Sequence, residues 1–382
     1  MKSLNFLFNK IFHGLYSGER FDIDDPELEE CHNLEPVSGD YKVHEIITDM
    51  NADGISWSGS GEEASDIWRD HEDDDFIDHD SDNFADLVER NFLDAFIFTV
   101  TTVTTPDTFT LPLEASGTYD FYIDWGDGDS DEITAYNDAA VTHTYSTPGT
   151  YTIRISGTIN GFRFGNSGDR TLLTEIKQWG SLLLGNTGGY FHGCINLTIS
   201  ATDILNLAGT TNLSAIFRNC DSIVTVPSIN SWDTSSVTRL YMAFADMLLF
   251  NQALDGWDTS SVTDMASVFY EAVAFNQPLT GWDTSSVNSF AYMFYYANSF
   301  DQDLSSWDVT SVEDMSGMFD NMTLSTANYD ALLIGWEAQD VQDNVTFDGG
   351  NSTYTGGGAA EAARAALIAD HSWTITDGGV AP

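Results

Sequence analysis

Positive charge is what this chain has least of: 13 Lys and Arg stand against 60 Asp and Glu, a formal charge of −47 at pH 7. Between Arg239 and Arg364 there is no Lys or Arg at all. Binding to a phosphate backbone requires clustered cations that displace counterions, so nucleic acid is excluded as a partner, and anionic lipid is disfavoured on the same ground. Such a surface repels its own copies at low ionic strength and suits a saline or calcium-containing medium, where screening shortens to about 3 Å at 1 M salt. Cysteine is nearly absent. Cys31, Cys194 and Cys220 have no CxxC spacing, which rules out a disulfide framework and argues against zinc. No stretch approaches the roughly 18 uninterrupted apolar residues of a membrane span. Catalytic signatures are missing too, since no GxSxG, HExxH or Walker loop occurs. His13, His32, His44, His143, His192 and His371 are isolated from any nucleophile. Paired carboxylates abound in so acidic a chain and carry no information about glycosidase chemistry. The expectation is a protein that is not an enzyme, with glycan processing kept as a remote alternative.

What is present is enough to fold, with 42% apolar and 13% aromatic residues. Residues 1–95 carry 26 acidic and 6 basic side chains. Their start, MKSLNFLFNKIFHGLYSGER, is apolar, but Lys10 and His13 interrupt it and no small-x-small cleavage site follows. It reads as an amphipathic docking helix with Leu4, Leu7, Phe8, Ile11, Phe12 and Leu15 on one face. The run DHEDDDFIDHDSD at 70–82 has two readings, a solvated loop or a contact for a divalent cation or basic partner that would include His71 and His79. Trp68, Phe84, Leu87, Val88 and Phe92 need something to pack on, so the region is expected to order against an assembly partner.

From 96 to 157 the pattern becomes a period-2 alternation of β-branched and aromatic residues, broken by Gly, Pro and Asp turns, which indicates a small antiparallel β-sandwich. Here DWGDG (124–128) is followed by VTHTYSTPGTYTIRIS (141–156), and the pair resembles a PKD-type domain, an immunoglobulin-like module. That resemblance implies a spacer or adhesion module without catalytic activity. Asp127, Asp129 and Asp131 hold the 1-3-5 spacing of an EF-hand loop, with Asp138 at the twelfth position, but Glu132 stands where the loop needs Gly. Two readings are open, a calcium site and a polar hairpin tip.

Beyond 157 the chain repeats itself. Phe164, Phe191, Phe217, Phe244, Phe269, Phe294 and Phe319 follow one another at spacings of 27, 26, 27, 25, 25 and 25. Trp232, Trp257, Trp282 and Trp307 keep the 25-residue period, as do Phe250, Phe275 and Phe300. A fixed period of this size marks a solenoid, each coil burying its apolar edge against its neighbours. Within a unit, Phe-Asn-Gln-x-Leu alternates as a short strand, with Pro278 awkward there because it lacks a ladder donor. The pairs Ser261/Asp264 and Ser311/Asp314 fit a capping box, and Val262, Met265 and Phe269 lie on one face of a short helical or 3₁₀ segment. The motifs AFNQPLTGWDTSSV (274–287) and EDMSGMF (313–319) resemble the BspA-like surface-protein repeat family. The resemblance implies a leucine-rich-repeat-like architecture and surface display, with no single activity attached. The stretch after 325 breaks the period and resembles the capping segment of such proteins, with an Ala-rich helix at 359–369 covering the open end of the core.

The repeat defines the candidate sites. The Trp column is either a sugar-stacking platform or the solenoid wall. Tyr241, Tyr270, Tyr292, Tyr295 and Tyr296 are not held to the core phase and are the candidates for an exposed recognition surface. Asp233, Asp258, Asp283 and Asp308 would stack as a carboxylate ladder, relieved either by Asx turns over the following residues or by bridging cations. Cys194 and Cys220 would lie within disulfide range on adjacent coils, with two free buried thiols as the other reading.

The fold expected is mainly β: an acidic docking region (1–95), a PKD-like sandwich (96–157), a repeat solenoid with short helical segments (158–325) and a cap (326–382). The function expected is structural and adhesive, most simply that of a virion fibre, decoration or tail protein that recognises a host protein or glycan. A secreted or cell-surface adhesin is the alternative. Homo-oligomerisation is expected, and calcium is the one cofactor the sequence suggests.

Overall fold

Strands and turns dominate the computed structural model, which describes residues 94–382. The docking helix, the acidic run at 70–82 and Cys31 lie outside the described residues. The fold is mainly β, with two α-helices among the described residues, both near the C-terminus.

The alternating segments after residue 95 form strands as their pattern requires. In β1 (Phe96–Thr102) the side chains of Phe96, Phe98 and Val100 are buried. Strand β3 (Leu113–Asp124) buries Tyr119, Phe121 and Ile123, and β6 (Gly149–Phe162) buries Ile153, Ile155, Ile159 and Phe162. With β4 (Ser130–Ile133), β7 (Leu173–Gln178) and β9 (Thr198–Ile199) they form one sheet in the order β4-β3-β6-β1-β7-β9, and β8 (Leu182–Leu183) pairs with β6. A separate pair, β2 (Asp107–Thr110) and β5 (Thr142–Tyr145), contributes Phe109, whose ring centre is 6.1 Å from that of Phe98. The two halves of the DWGDG/HTY pattern meet in space. His143 stacks on Trp125 at 4.8 Å, Tyr145 stacks on Tyr151 at 4.1 Å, and the Tyr145 hydroxyl donates to the Trp125 carbonyl at 3.0 Å. Gly126 turns the chain here with φ +81°, and a Cβ at that position would come within 2.5 Å of the Thr152 carbonyl.

Strand β6 runs through the boundary expected at 157, and β7 joins β1 on one edge and β9 on the other. The sheet therefore passes without a break into the repeated units, and one hydrophobic cluster extends from Phe96 to Trp373.

The repeat itself is held by a main-chain ladder. The N–H groups of Met242, Phe244 and Asp246 donate to the carbonyls of Ala266, Val268 and Tyr270 one unit on. Ser267, Phe269 and Glu271 donate likewise to Ala291, Met293 and Tyr295, and Tyr292, Phe294 and Tyr296 donate to Ser316, Met318 and Asp320. A second line of parallel bridges links Asn212, Arg239, Asp264, Ser289 and Asp314. Inside, the central Phe rings form a column: Phe244, Phe269, Phe294 and Phe319 follow one another at 5.7, 5.7 and 5.6 Å, with interplanar angles of 4–11°. A second column, Phe250, Phe275 and Phe300, lies against it. Each indole of Trp257, Trp282 and Trp307 donates to a carbonyl of the preceding unit, at 2.8, 3.0 and 3.1 Å to Ile229, Leu254 and Leu279.

Two local expectations are corrected. The Phe-Asn-Gln segments are not strands; side chains stack them, with Asn276 N–H donating to Asn251 Oδ1 and Asp301 N–H to Asn276 Oδ1. Pro278 therefore costs no ladder bond. Nor do the Ser261/Asp264 and Ser311/Asp314 segments start helices. Asp264 and Asp314 sit in the parallel bridges and accept from Ala266 and Ser316 two residues on. The residues two before and two after each central Phe take positive φ, as in Ser267 (57°) and Glu271 (53°), which no α-helix accommodates.

At the C-terminal end, β10 (Asp314–Met315), β11 (Thr346–Asp348) and β12 (Thr374–Thr376) continue the parallel order. Helix α1 (Thr326–Glu337) is capped by Ser325 and puts Trp336 where the next repeat Trp would stand, its indole donating to Leu304 at 3.1 Å. The Ala-rich segment forms helix α2 (Ala359–His371), which buries Ala360, Ala363 and Leu367. Asp377, its side chain 2% exposed, pairs with Arg364 at 2.7 Å and accepts from the Tyr329 hydroxyl at 2.8 Å. Breaking a buried pair strands a charge, so Arg364→Met should lower unfolding stability by about 3 kcal/mol. Phe294→Ala should cost about 3–5 kcal/mol through the cavity it leaves in the ring column. Urea denaturation midpoints check both.

Candidate functional site

Because the interior is periodic, the outer face of each unit can be read column by column. One residue after the central Phe stand Arg218, Ala245, Tyr270, Tyr295 and Asp320; two after stand Asn219, Asp246, Glu271, Tyr296 and Asn321. Two before stand Ala215, Met242, Ser267, Tyr292 and Gly317. The last two columns are the left-handed positions, with φ 56° at Tyr292 and 54° at Tyr296.

Four of the five candidate tyrosines come together here. Tyr270 and Tyr295 stack at 4.6 Å, Tyr295 meets Tyr292 edge-on at 6.0 Å, and Tyr296 meets Tyr295 edge-on at 4.8 Å. Tyr292 and Tyr296 are 45% and 40% exposed, so the cluster is a surface feature. The Tyr292 ring leans over Gly317, where a Cβ would come within 2.4 Å of it; the next unit has glycine where this ring needs room. Desolvation raises the Tyr270 hydroxyl to about 12, with Glu271 and Tyr295 adding to it, and Tyr295 is raised by the same cause assisted by Tyr296, Asp320 and Glu271. The Tyr270 and Tyr295 phenols are therefore held neutral. Tyr241 stands apart and lines an open groove of about 560 Å³ with Arg239, Thr263, Asp264, Ala266, Asn288 and Ser289.

The Trp column offers no sugar platform. Trp232, Trp257, Trp282 and Trp307 are 1–4% exposed, and the last three spend their indole N–H groups on the preceding unit, so they are wall. The Asp column is relieved by Asx turns. Ser235, Ser260, Ser285 and Thr310 each donate backbone and hydroxyl hydrogens to Oδ1 of Asp233, Asp258, Asp283 and Asp308 two residues earlier. Buried threonines, absent from the candidate residues, add another ladder: Thr234, Thr259 and Thr284 donate to Asp258, Asp283 and Asp308 carbonyls. Their 25-residue spacing was the available signal.

The four aspartates of the EF-hand-like spacing do not converge. Asp131 accepts from the Trp125 indole at 2.8 Å and Asp138 caps a 3₁₀ turn through the Ala140 N–H. Asp127 and Asp129 instead share their corner with His143, which lies 2.8 Å from Asp127. Two carboxylates and an imidazole do not fit calcium, which takes six to eight oxygen ligands. The pairing of the DWGDG and HTY motifs was the available signal for His143, 16 residues after Asp127. Cys194 and Cys220 are buried free thiols; Cys220 donates to the Phe191 carbonyl at 3.0 Å, and burial pushes both thiols up.

A family model described as "Mycoplasma protein of unknown function, DUF285" matches residues 211–332, the stretch that contains the most regular units and the tyrosine cluster. No curated protein and no solved structure matches.

The Asx turns generate a pH prediction. The hydrogen bonds from Ser260 hold Asp258 below the usual 3.8, so its contribution is present above that value and is lost as pH falls through the lower folded value. Asn can accept the same bonds without ionising. The stability difference between the unaltered chain and Asp258→Asn should therefore shift in favour of the variant as pH drops below about 4. Thermal melts of both from pH 6 to pH 3 read it.

Proposed function

We propose that this chain is a non-enzymatic structural and adhesive protein. In this reading residues 158–325 form a leucine-rich-repeat-like solenoid, carried behind a PKD-like β-sandwich and closed by residues 326–382. The likeness of the repeat to BspA-like surface proteins and of residues 124–156 to PKD-type modules supports it. The observation that carries it is the division of labour within each unit. The Phe and Trp side chains fill the interior and the indoles spend their N–H groups there, while the columns flanking the central Phe vary from unit to unit and include the exposed Tyr292, Tyr296 and Asn321. Such a body holds a surface in register; it does not enclose a reactant. The acidic residues 1–95 would attach it to an outer assembly, a virion or a cell surface.

A display protein works by repetition. One contact is weak, and several copies on one support bind together because each subsequent contact forms at high local concentration. The test presents the full-length chain to arrays of glycans and extracellular proteins, once as a monomer and once as a tetramer on a carrier. The tetramer should bind at least about 100-fold more tightly to some array members, each recovered chemically unchanged. Ligand conversion detected by mass spectrometry would refute the reading.

A further inference from the structure

Resting on that display reading, and sharpening it, we propose that the tyrosine cluster is a docking site for a basic segment of a partner protein. Lysine or arginine side chains would lie on Tyr292 and Tyr296 and be flanked by Glu271 and Asp320. Three independent observations lead there.

The first is backbone cost without a folding return. Tyr292 and Tyr296 occupy left-handed positions, where a bulky aromatic residue is disfavoured and where the other units, with residues from Gly317, Ser267, Asn219 and Asn321 up to Met242 and Glu271, place no aromatic ring. Their rings remain 45% and 40% exposed, so they do not recover that cost by core burial. The fold accepts smaller residues at both places, and the tyrosines answer to something outside it.

The second is charge. Residues 240–363 contain 18 Asp and Glu and no Lys or Arg. Neither Glu271 nor Asp320 has a cationic partner among the described residues. A π face beside an unpaired carboxylate attracts cations twice over, through the ring quadrupole and through the charge.

The third is an internal precedent on the same face. Arg218, one residue after its central Phe, reaches forward to Asp246 at 3.2 Å and to the Met242 sulfur at 2.9 Å. Asp246 and Met242 are the residues two after and two before Phe244. One unit on, the same cradle is Glu271 and Ser267, but the position that would supply the guanidinium is Ala245. The face is thus shown holding a guanidinium once, and it repeats the carboxylate where the chain provides none. The tyrosines begin at that point.

The difficulty for any test is that a chain of charge −47 attracts every polycation. The decisive variant therefore leaves charge alone. Tyr292→Ser with Tyr296→Asn installs residues that neighbouring units already carry at the equivalent positions, and Glu271→Gln removes one carboxylate without changing shape. Binding of a hexa-arginine peptide with a neutral dye is measured on the full chain at about 0.15 M salt, where long-range attraction is screened. Thermal melts confirm that each variant folds. The double tyrosine variant should bind about tenfold more weakly, the effect of two exposed rings, and Glu271→Gln about threefold more weakly. Equal affinity of the double variant and the unaltered chain would overturn the proposal, leaving only diffuse attraction. So would binding of a neutral oligosaccharide at these tyrosines in place of the peptide. Either result leaves the display reading standing, since that reading fails on ligand turnover and not on the identity of the ligand.

Discussion

The whole repeat depends on main-chain N–H groups that point along the stacking direction. Around Phe217, Phe244, Phe269 and Phe294, the central Phe and the residues two before and two after it donate to the next unit, and the two flanking residues do so in the left-handed conformation. That geometry rules out a helix and brings successive central Phe rings, from Phe244 to Phe319, over one another at 5.6–5.7 Å. Burial of the rings then stabilises what the hydrogen bonds align, at roughly 1.5–3 kcal/mol for each fully buried side chain. Unsatisfied carbonyls on the inner wall would cost about 1–3 kcal/mol apiece, which is why the indoles and the Gln and Asn side chains are spent there.

Because the ladder is directional, its two ends need different solutions. At the N-terminal end the sheet of β1, β6 and β7 is extended in parallel by β8 and β9, so antiparallel order passes into repeat order within a single core. At the other end Phe319 donates to Asp348 of the cap, helix α1 supplies Trp336 to the indole line, and the Arg364–Asp377 pair locks α2 against β12 and its following turn.

Side-chain periodicity makes the core legible in the amino-acid sequence. Phe244 through Phe319, the Trp line and the Asx turns on Asp233 to Asp308 all stand where their spacing puts them, since identical environments select identical residues. Backbone conformation is not legible in the same way. The segment around Val262 and Met265 has helical spacing, yet its neighbours Ser267 and Glu271 take positive φ; nothing in Ser or Glu announces that, and only the Asn and Gly found in sister units hint at it. The Phe-Asn-Gln-x-Leu segment resembles a strand because its apolar residues alternate, but the stacking there runs through the Asn251 and Asn276 side chains. The DWGDG and HTY motifs announce that their segments pair, but the approach of the His143 ring to Asp127 and Asp129 is set by tertiary structure. Among the tyrosines the departure from core phase is visible in the spacing, but their gathering into one cluster, and the glycine that makes room for Tyr292, emerge only from the stacked units.

A repeat built this way separates stability from recognition. The columns that hold the fold are internal, and the column after the central Phe carries Arg218 in one unit, Ala245 in the next and tyrosines after it. Forward-pointing N–H groups bind unit to unit. Amide hydrogen exchange resolved by residue tests it most directly. The amides of Phe244, Phe269 and Phe294 should exchange slowly and lose protection together as denaturant is added, as one cooperative body does. Exchange of these amides at the rate of exposed turns, while the ring column stays buried, would contradict it.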